Sequence, residues 1–69
     1  MRLGKYLSSL TKPELEELER KLNLTDEEVG IFLGLSKGRS KTKIAEDCLV
    51  SVSTVSNRIK AIRVKVNRL

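Results

Sequence analysis

A group of polar side chains near the C-terminus of this 69-residue chain has the types and spacing for recognition by hydrogen bonding. Apolar residues recur at intervals of three and four across residues 52–68, which predicts one amphipathic helix. In a helical projection, the face opposite this apolar stripe carries Ser53, Ser56, Asn57 and Lys60. The Asn57 amide presents a donor beside an acceptor, and Lys60 presents a cationic donor. These groups can bind polar edges and anions, but they do not pair a nucleophile with a base.

The chain lacks the groups that catalysis or metal binding would need. It has no histidine, and Cys48 is its only cysteine, which excludes an internal disulfide and a zinc site built by this chain alone. Glu46 and Asp47 are adjacent, so on a helix their carboxylates diverge. The sequence contains no nucleophile elbow and no phosphate-binding glycine loop. We therefore predict a protein that is not an enzyme, uses no metal or cofactor, and keeps Cys48 as a small apolar core residue.

The cations are concentrated in the second half of the sequence. Residues 1–34 hold five Lys and Arg against seven Asp and Glu, a net charge of −2. Residues 35–69 hold nine Lys and Arg against two Asp and Glu, a net charge of +7. An anionic polymer would face this half of the chain. A solvated basic surface without a partner would give the same totals, so the charge alone does not identify a ligand.

Nothing in the sequence indicates a membrane protein. No apolar run approaches the ~18–20 residues that cross a bilayer. The N-terminal residues are not followed by the apolar stretch of a signal peptide. We therefore expect a cytoplasmic protein without a membrane partner.

The apolar spacing predicts an all-α fold, a small bundle of four to five helices without strands. Thr11 and Thr25 each precede a glutamate by three residues, which predicts a capping box at the start of two helices. Two further predicted caps are Ser40 and Ser51, and the predicted helix ends are Asn23, Gly38 and about Leu49. The last helix should bury one continuous stripe made of Val52, Val55, Ile59, Ile62, Val66 and Leu69.

The small size of the chain favours a second subunit. A single core below roughly 70–80 residues rarely contributes more than ~3–5 kcal/mol of stability. Apolar stripes in residues 1–22 and 59–69 could pack on another copy. We predict one domain, residues 1–69, in which residues 1–23 are a helical extension and candidate dimerisation element. Residues 24–69 form the functional unit, and the protein is predicted to be a homodimer.

Residues 44–55 carry the most informative pattern. A short helix ends, about four residues turn, and a capped helix begins. Ala45 is small enough for the two helices to approach closely, Val50 can fill the turn, and Val55 can hold the second helix against the first. This is the spacing of a helix-turn-helix. In that geometry, the polar face of the second helix can enter the major groove of duplex DNA, which is about 12 Å wide.

Across residues 24–66 the sequence resembles LuxR-type, or GerE-like, helix-turn-helix domains, and it is similar to region-four domains of sigma factors. The matching positions are Leu24, Thr25, Glu28, Gly38, Ser40, Ile44, Ala45, Glu46, Val50, Ser51, Thr54, Val55, Ile62 and Lys65. The chain departs from the family at Gly30, where an acidic residue is usual, at Gly34, where a bulky apolar residue is usual, and at Arg58, where histidine is usual. The two glycines either allow another helix to approach closely or weaken their own helix.

The resemblance implies a transcriptional regulator that reads duplex DNA with its last helix, about residues 52–68, in the major groove. The base-reading positions would be Ser53, Ser56, Asn57 and Lys60. Asn57 suits an adenine edge and Lys60 suits guanine acceptors. The expected phosphate contacts are Ser40, Lys41, Thr42, Lys43, Ser51, Thr54, Arg58 and Arg63, with Arg39 and Lys65 on the same basic border.

The alternative is a helical protein-interaction module, such as a phage or plasmid accessory protein, that uses the motif as a scaffold. In this interpretation the acidic N-terminal helix binds another protein, for which RNA polymerase is one candidate. Ser40 and Ser51 would then serve only as helix caps, and Asn57 and Lys60 would be ordinary surface residues. Duplex binding that weakens with salt would favour the first interpretation over this one.

Overall fold

A computed structural model describes residues 3–69, and this part of the chain forms five α-helices and no strand. The helices are α1 (Leu3–Ser8), α2 (Lys12–Leu22), α3 (Asp26–Ser36), α4 (Lys41–Cys48) and α5 (Val52–Asn67). Their Cα radius of gyration is 10.9 Å, close to the ~11 Å expected for a folded domain of this length. The predicted small all-α bundle is confirmed. None of the five helices is both long and apolar enough to cross a membrane.

Hydroxyl side chains begin four of the helices, as the sequence predicts. The caps of α2, α3, α4 and α5 are Thr11, Thr25, Ser40 and Ser51. At α3, the Thr25 hydroxyl accepts the Glu28 N–H at 3.2 Å and the Glu28 carboxylate accepts the Thr25 N–H at 3.0 Å. The same reciprocal box closes at the start of α2. These bonds satisfy backbone N–H groups that a helix start otherwise leaves without partners.

The helix ends depend on residues in the left-handed conformation. Asn23 ends α2 at φ 52°, and Gly38 follows α3 at φ 76°. Helix α4 ends where the sequence predicts, at about Leu49: Cys48 is its last helical residue and Leu49 is its cap at φ 58°. The Val50 N–H donates to the Ala45 carbonyl at 3.0 Å, which closes the turn at the end of the helix. Leu49 adopts this conformation at a cost of about 1–2 kcal/mol and is 91% exposed.

Helix α3 lies at the centre of the bundle and packs against each of the other four helices. Its Ile31, Phe32 and Leu35 are buried, as predicted. Leu3 and Leu7 of α1 are also buried, and α1 contacts α3. The core within residues 3–69 consists of Leu3, Leu7, Leu18, Leu22, Ile31, Phe32, Leu35, Ile44, Ala45, Val55, Ile59 and Ile62. Half-buried Cys48 packs against this core, which agrees with its predicted apolar role.

The apolar stripe of α5 is shorter than predicted. Its middle is covered, but Val52 and Leu69 are 45% and 65% exposed. Val52 is the first residue of α5, and Leu69 follows the end of the helix at Asn67, so neither reaches the core. Many apolar side chains that suggested a dimer, including those of α1 and α2, are covered within one chain. The homodimer therefore stays a prediction, and less exposed apolar surface supports it than the sequence suggested.

The two glycines of α3 have different surroundings. A Cβ added to Gly34 would lie 2.8 Å from Cγ1 of buried Ile44, so this glycine allows α4 to approach α3 closely. A Cβ added to Gly30 would meet the Cys48 sulfur at 3.5 Å, which is an ordinary contact. Close approach therefore explains Gly34, whereas at Gly30 the missing side chain only lowers helix propensity.

We expect Gly34→Ala to destabilise the protein and Gly30→Ala to stabilise it. Overpacking against Ile44 should lower the free energy of unfolding by about 1–3 kcal/mol. At the exposed Gly30 position alanine should raise it by up to about 1 kcal/mol through helix propensity. Urea denaturation followed by circular dichroism measures both variants. Equal changes in the two variants would contradict the assigned roles.

Candidate nucleic-acid interface

Helices α4 and α5 form a two-helix unit joined by residues 49–51. Helix α4 packs against α5, and Ala45 and Val55 are buried at 5% and 0% exposure. Val50 in the connection is partly buried against the core. The apolar side chains predicted to hold these helices together therefore lie inside, and the opposite side of α5 is left at the surface.

The four predicted base-reading residues share this outer face of α5. Ser53, Asn57 and Lys60 are exposed, and Ser56 is half-buried. They follow one another at successive turns of a continuous 16-residue helix. None of the side-chain hydrogen bonds that α5 forms with the other helices involves them; those bonds come from Arg58 and Lys65 instead. The polar face is therefore available to a ligand over about two turns.

One flank of this face is neutralised by carboxylates of α3. Arg58 donates through Nε to Glu27 Oε1 at 2.7 Å, and Lys65 Nζ lies 2.6 Å from Glu28 Oε1. The hydrogen bond that Arg58 donates to Glu27, together with the charge of Glu27, raises the pKa of Arg58. Arg58 was predicted to contact phosphate and Lys65 to extend the basic border. In the structure both cations have protein partners, 31 and 37 residues away in sequence.

Glu28 joins the start of α3 to the end of α5. It is the buried charged residue of the described chain, 5% exposed, and its Oε1 accepts both the Thr25 N–H and the Lys65 ammonium. The hydrogen bond from Lys65, followed by that from the Thr25 backbone, lowers the pKa of Glu28. A residue predicted to close a capping box therefore also fixes the position of α5.

Near the start of α4, some of the predicted phosphate-binding side chains form ion pairs and others do not. Asp47 holds Arg39 at 2.6 Å and Lys43 at 3.5 Å, so these two predicted cations already face a carboxylate. Lys41 and Thr42 are exposed at the first turn of α4, and Arg63 is exposed on α5. Within residues 3–69, the ion pairs at 4.0 Å or less include neither Lys41 nor Arg63.

Three of the four hydroxyl groups predicted near phosphates, those of Ser40, Ser51 and Thr54, form hydrogen bonds at the starts of α4 and α5. The Ser40 hydroxyl accepts the Lys43 N–H at 3.2 Å. The Ser51 hydroxyl accepts the Thr54 N–H at 3.1 Å and lies 2.9 Å from the Thr54 hydroxyl. Ser40 and Ser51 are thus helix caps, and Thr54 is half-buried beside its cap. Of the predicted phosphate contacts, Lys41, Thr42 and Arg63 have no side-chain hydrogen bond or ion pair with another residue of the described range 3–69.

Comparison of the chain with models of protein families, with curated proteins and with solved structures finds no match. The resemblance to LuxR-type domains therefore stays a prediction that rests on the motif in residues 24–66.

The pairing of Glu28 predicts a specific dependence of stability on pH. Because its pKa is lowered in the folded chain, Glu28 stabilises the fold above the ordinary carboxyl value of 4.5. This contribution is lost as the pH falls through 4.5 and then through the lower folded pKa. We expect Glu28→Gln to lower the free energy of unfolding near neutral pH by about 1–3 kcal/mol and to flatten the loss of stability in acid.

Urea titrations at about pH 7 and about pH 4 measure both effects. Glu16→Gln is the matched control, because Glu16 is an exposed glutamate of α2 whose replacement should change stability by less than about 0.5 kcal/mol. The assignment is wrong if Glu28→Gln and Glu16→Gln give the same stability at both pH values.

Proposed function

We propose that this protein is a sequence-specific duplex-DNA-binding transcriptional regulator that places α5 in the major groove. The observation that carries the proposal is the exposed polar face of α5, which lies opposite the buried Val55, Ile59 and Ile62. An α-helix fits a groove about 12 Å wide. In this proposal α4 and α5 act as the helix-turn-helix that the sequence predicts.

The spacing of the polar residues on α5 sets the size of the site that one helix can read. Residues 53–60 rise about 10 Å along the helix axis, which corresponds to about three base pairs. Asn57 would bond an adenine edge and Lys60 the acceptors of guanine, each contributing ~1–3 kcal/mol of discrimination. The short hydroxyls of Ser53 and half-buried Ser56 would read bases directly or through water.

Phosphate contacts would come from groups on either side of this face. Lys41 and Thr42 supply side chains and free backbone N–H groups at the start of α4, where a helix favours an anion. Arg63 lies one turn after Lys60 on α5. Arg39 and Lys43 would have to exchange Asp47 for a phosphate, so we assign them a weaker role.

We propose further that the protein acts in the cytoplasm and binds as a homodimer. The small core supports a second subunit, and Val64 and Leu69 stay 48% and 65% exposed near the end of α5. An isologous dimer would read two half-sites related by two-fold symmetry.

A helical interaction module is the second candidate, and the surface of α2 favours it. Glu14, Glu16 and Glu17 are exposed along this helix, and although Glu17 pairs with Arg20 and Lys21, these carboxylates would face a protein partner such as RNA polymerase. Duplex binding that is absent, or that does not weaken with salt, would favour this candidate.

Fluorescence anisotropy with a selected duplex and a random duplex, each across a salt series, tests the proposal. We expect Lys60→Ala to reduce the preference for the selected duplex by ~1–3 kcal/mol at one base position. Lys41→Ala should weaken both duplexes alike and reduce the slope of log K against log salt by about 0.9. If Lys60→Ala weakens all duplexes equally, Lys60 does not read a base.

Asp47 should limit affinity for DNA, because it holds two cations that could otherwise reach phosphates. We expect Asp47→Asn to strengthen binding to every duplex. The slope of log K against log salt should become steeper by about 1–2. Glu46→Gln is the matched control, since it removes the same charge from the neighbouring exposed position. Identical effects of the two substitutions would indicate that net charge, and not release of Arg39 and Lys43, is responsible.

A further inference from the structure

A basic cleft opens between α1, the start of α4 and the second half of α5. It has a volume of about 600 Å³ and an apolar floor that includes Leu3, Leu35 and Ile59. Four cations from four different segments line it, and no carboxylate is among its lining residues. These cations are Lys5, Arg39, Lys41 and Arg63.

The opposite flank of α5 differs, because its cations are paired with carboxylates. There a depression of about 520 Å³ is lined by three acidic residues of α3 together with Arg58 and Lys65. Each of those two cations has a carboxylate at 2.7 Å or less. In the basic cleft, by contrast, Lys5, Lys41 and Arg63 take part in none of the ion pairs formed within residues 3–69. Cations gathered without counter-charges repel one another and favour an anionic ligand.

Lys5 reaches this cleft through the packing of α1. A six-residue helix is too short to be stable alone in water. Its neighbours Leu3 and Leu7 are buried, and a Cβ on Gly4 would lie 3.7 Å from Leu35 Cδ2, so α1 sits closely on α3. Docking of these apolar residues leaves Lys5 exposed at the cleft.

The cleft adjoins the polar face of α5. Arg63 lines the cleft and follows Lys60 by three residues, which places the two side chains on neighbouring turns of one helix. A phosphate chain that borders a groove occupied by α5 would therefore pass from Lys60 towards Arg63 and Lys5. The apolar floor would face the sugars between successive phosphates.

We propose that the basic cleft holds phosphates of the same duplex that α5 reads, and that Lys5 of α1 is one of the contacts. This inference rests on the proposed function. It adds the N-terminal segment to the DNA-binding surface, whereas the sequence predicts for that segment a dimer contact or, in the alternative, a protein partner.

The test compares Lys5→Gln with Lys12→Gln in the full chain, by anisotropy on selected and scrambled duplexes across a salt series. Lys12 is an exposed lysine at the start of α2 that does not line the cleft, so both variants lose one charge. We expect Lys5→Gln to weaken both duplexes about 5- to 10-fold at about 0.1 M salt and to reduce the salt slope by about 0.9. Lys12→Gln should change affinity less than about 2-fold, because screening limits distant charges.

Two further variants test whether the charge at position 5 and the opposite side of the cleft are responsible for the effect. Lys5→Arg should retain the wild-type salt slope, and Arg63→Gln, on the opposite side of the cleft, should reduce it as Lys5→Gln does. The preference for the selected duplex should stay unchanged in Lys5→Gln, because phosphates carry no sequence information. Circular dichroism checks that each variant keeps its helical content.

Equal losses of affinity in Lys5→Gln and Lys12→Gln would mean that only the net charge of the protein matters. That result would overturn the inference. An unchanged salt slope in Lys5→Gln would also overturn the inference. If the wild-type chain still binds duplex DNA, the proposed function is unaffected by that result. A wild-type chain without salt-sensitive duplex binding would overturn the proposed function itself, and the phosphate cleft with it.

Discussion

The burial of one side of α5 is the constraint on which the rest of the structure depends. Val55, Ile59 and Ile62 are 0%, 6% and 0% exposed, and together they fix the rotation of the helix about its own axis. A quarter turn would expose these side chains at a cost of roughly 1.5–3 kcal/mol each. It would also bury polar groups such as Asn57 without hydrogen-bond partners. The apolar side of α5 therefore holds the polar side outward.

The surface that receives α5 is built around α3. Ile31 and Phe32 are fully covered because the other helices surround them. The missing side chain at Gly34 brings α4 close, and the short α1 closes the remaining side through Leu3 and Leu7. In a domain of this size a large part of the surface stays in water, so each buried apolar group matters. Residues 3–8 consequently belong to the same core that positions α4 and α5.

Three carboxylates decide which cations remain available at the surface. Glu27 and Glu28 hold Arg58 and Lys65 on one flank of α5, and Asp47 holds Arg39 and Lys43 at α4. The net charge of the second half of the chain therefore overstates the number of free cations. Among the cations that form no ion pair within residues 3–69, Lys41, Lys60 and Arg63 lie on the polar face of α5 or towards the basic cleft, where Lys5 joins them from the N-terminal segment. This asymmetry gives the molecule one side suited to a polyanion.

The sequence by itself determined the features that depend on neighbours a few residues apart. The Thr25–Glu28 box, the Ser51 cap and the left-handed Gly38 each involve bonds across three to five residues, and the apolar spacing of α5 shows which side it buries. Only the tertiary structure decided the partners of Arg58 and Lys65 and the meeting of Lys5 and Arg63 in one cleft. Those contacts join residues far apart in the chain, so they depend on how the packed core sets one helix against another. A capping bond needs only the local chain, whereas an ion pair across 31 residues exists only after that packing is complete.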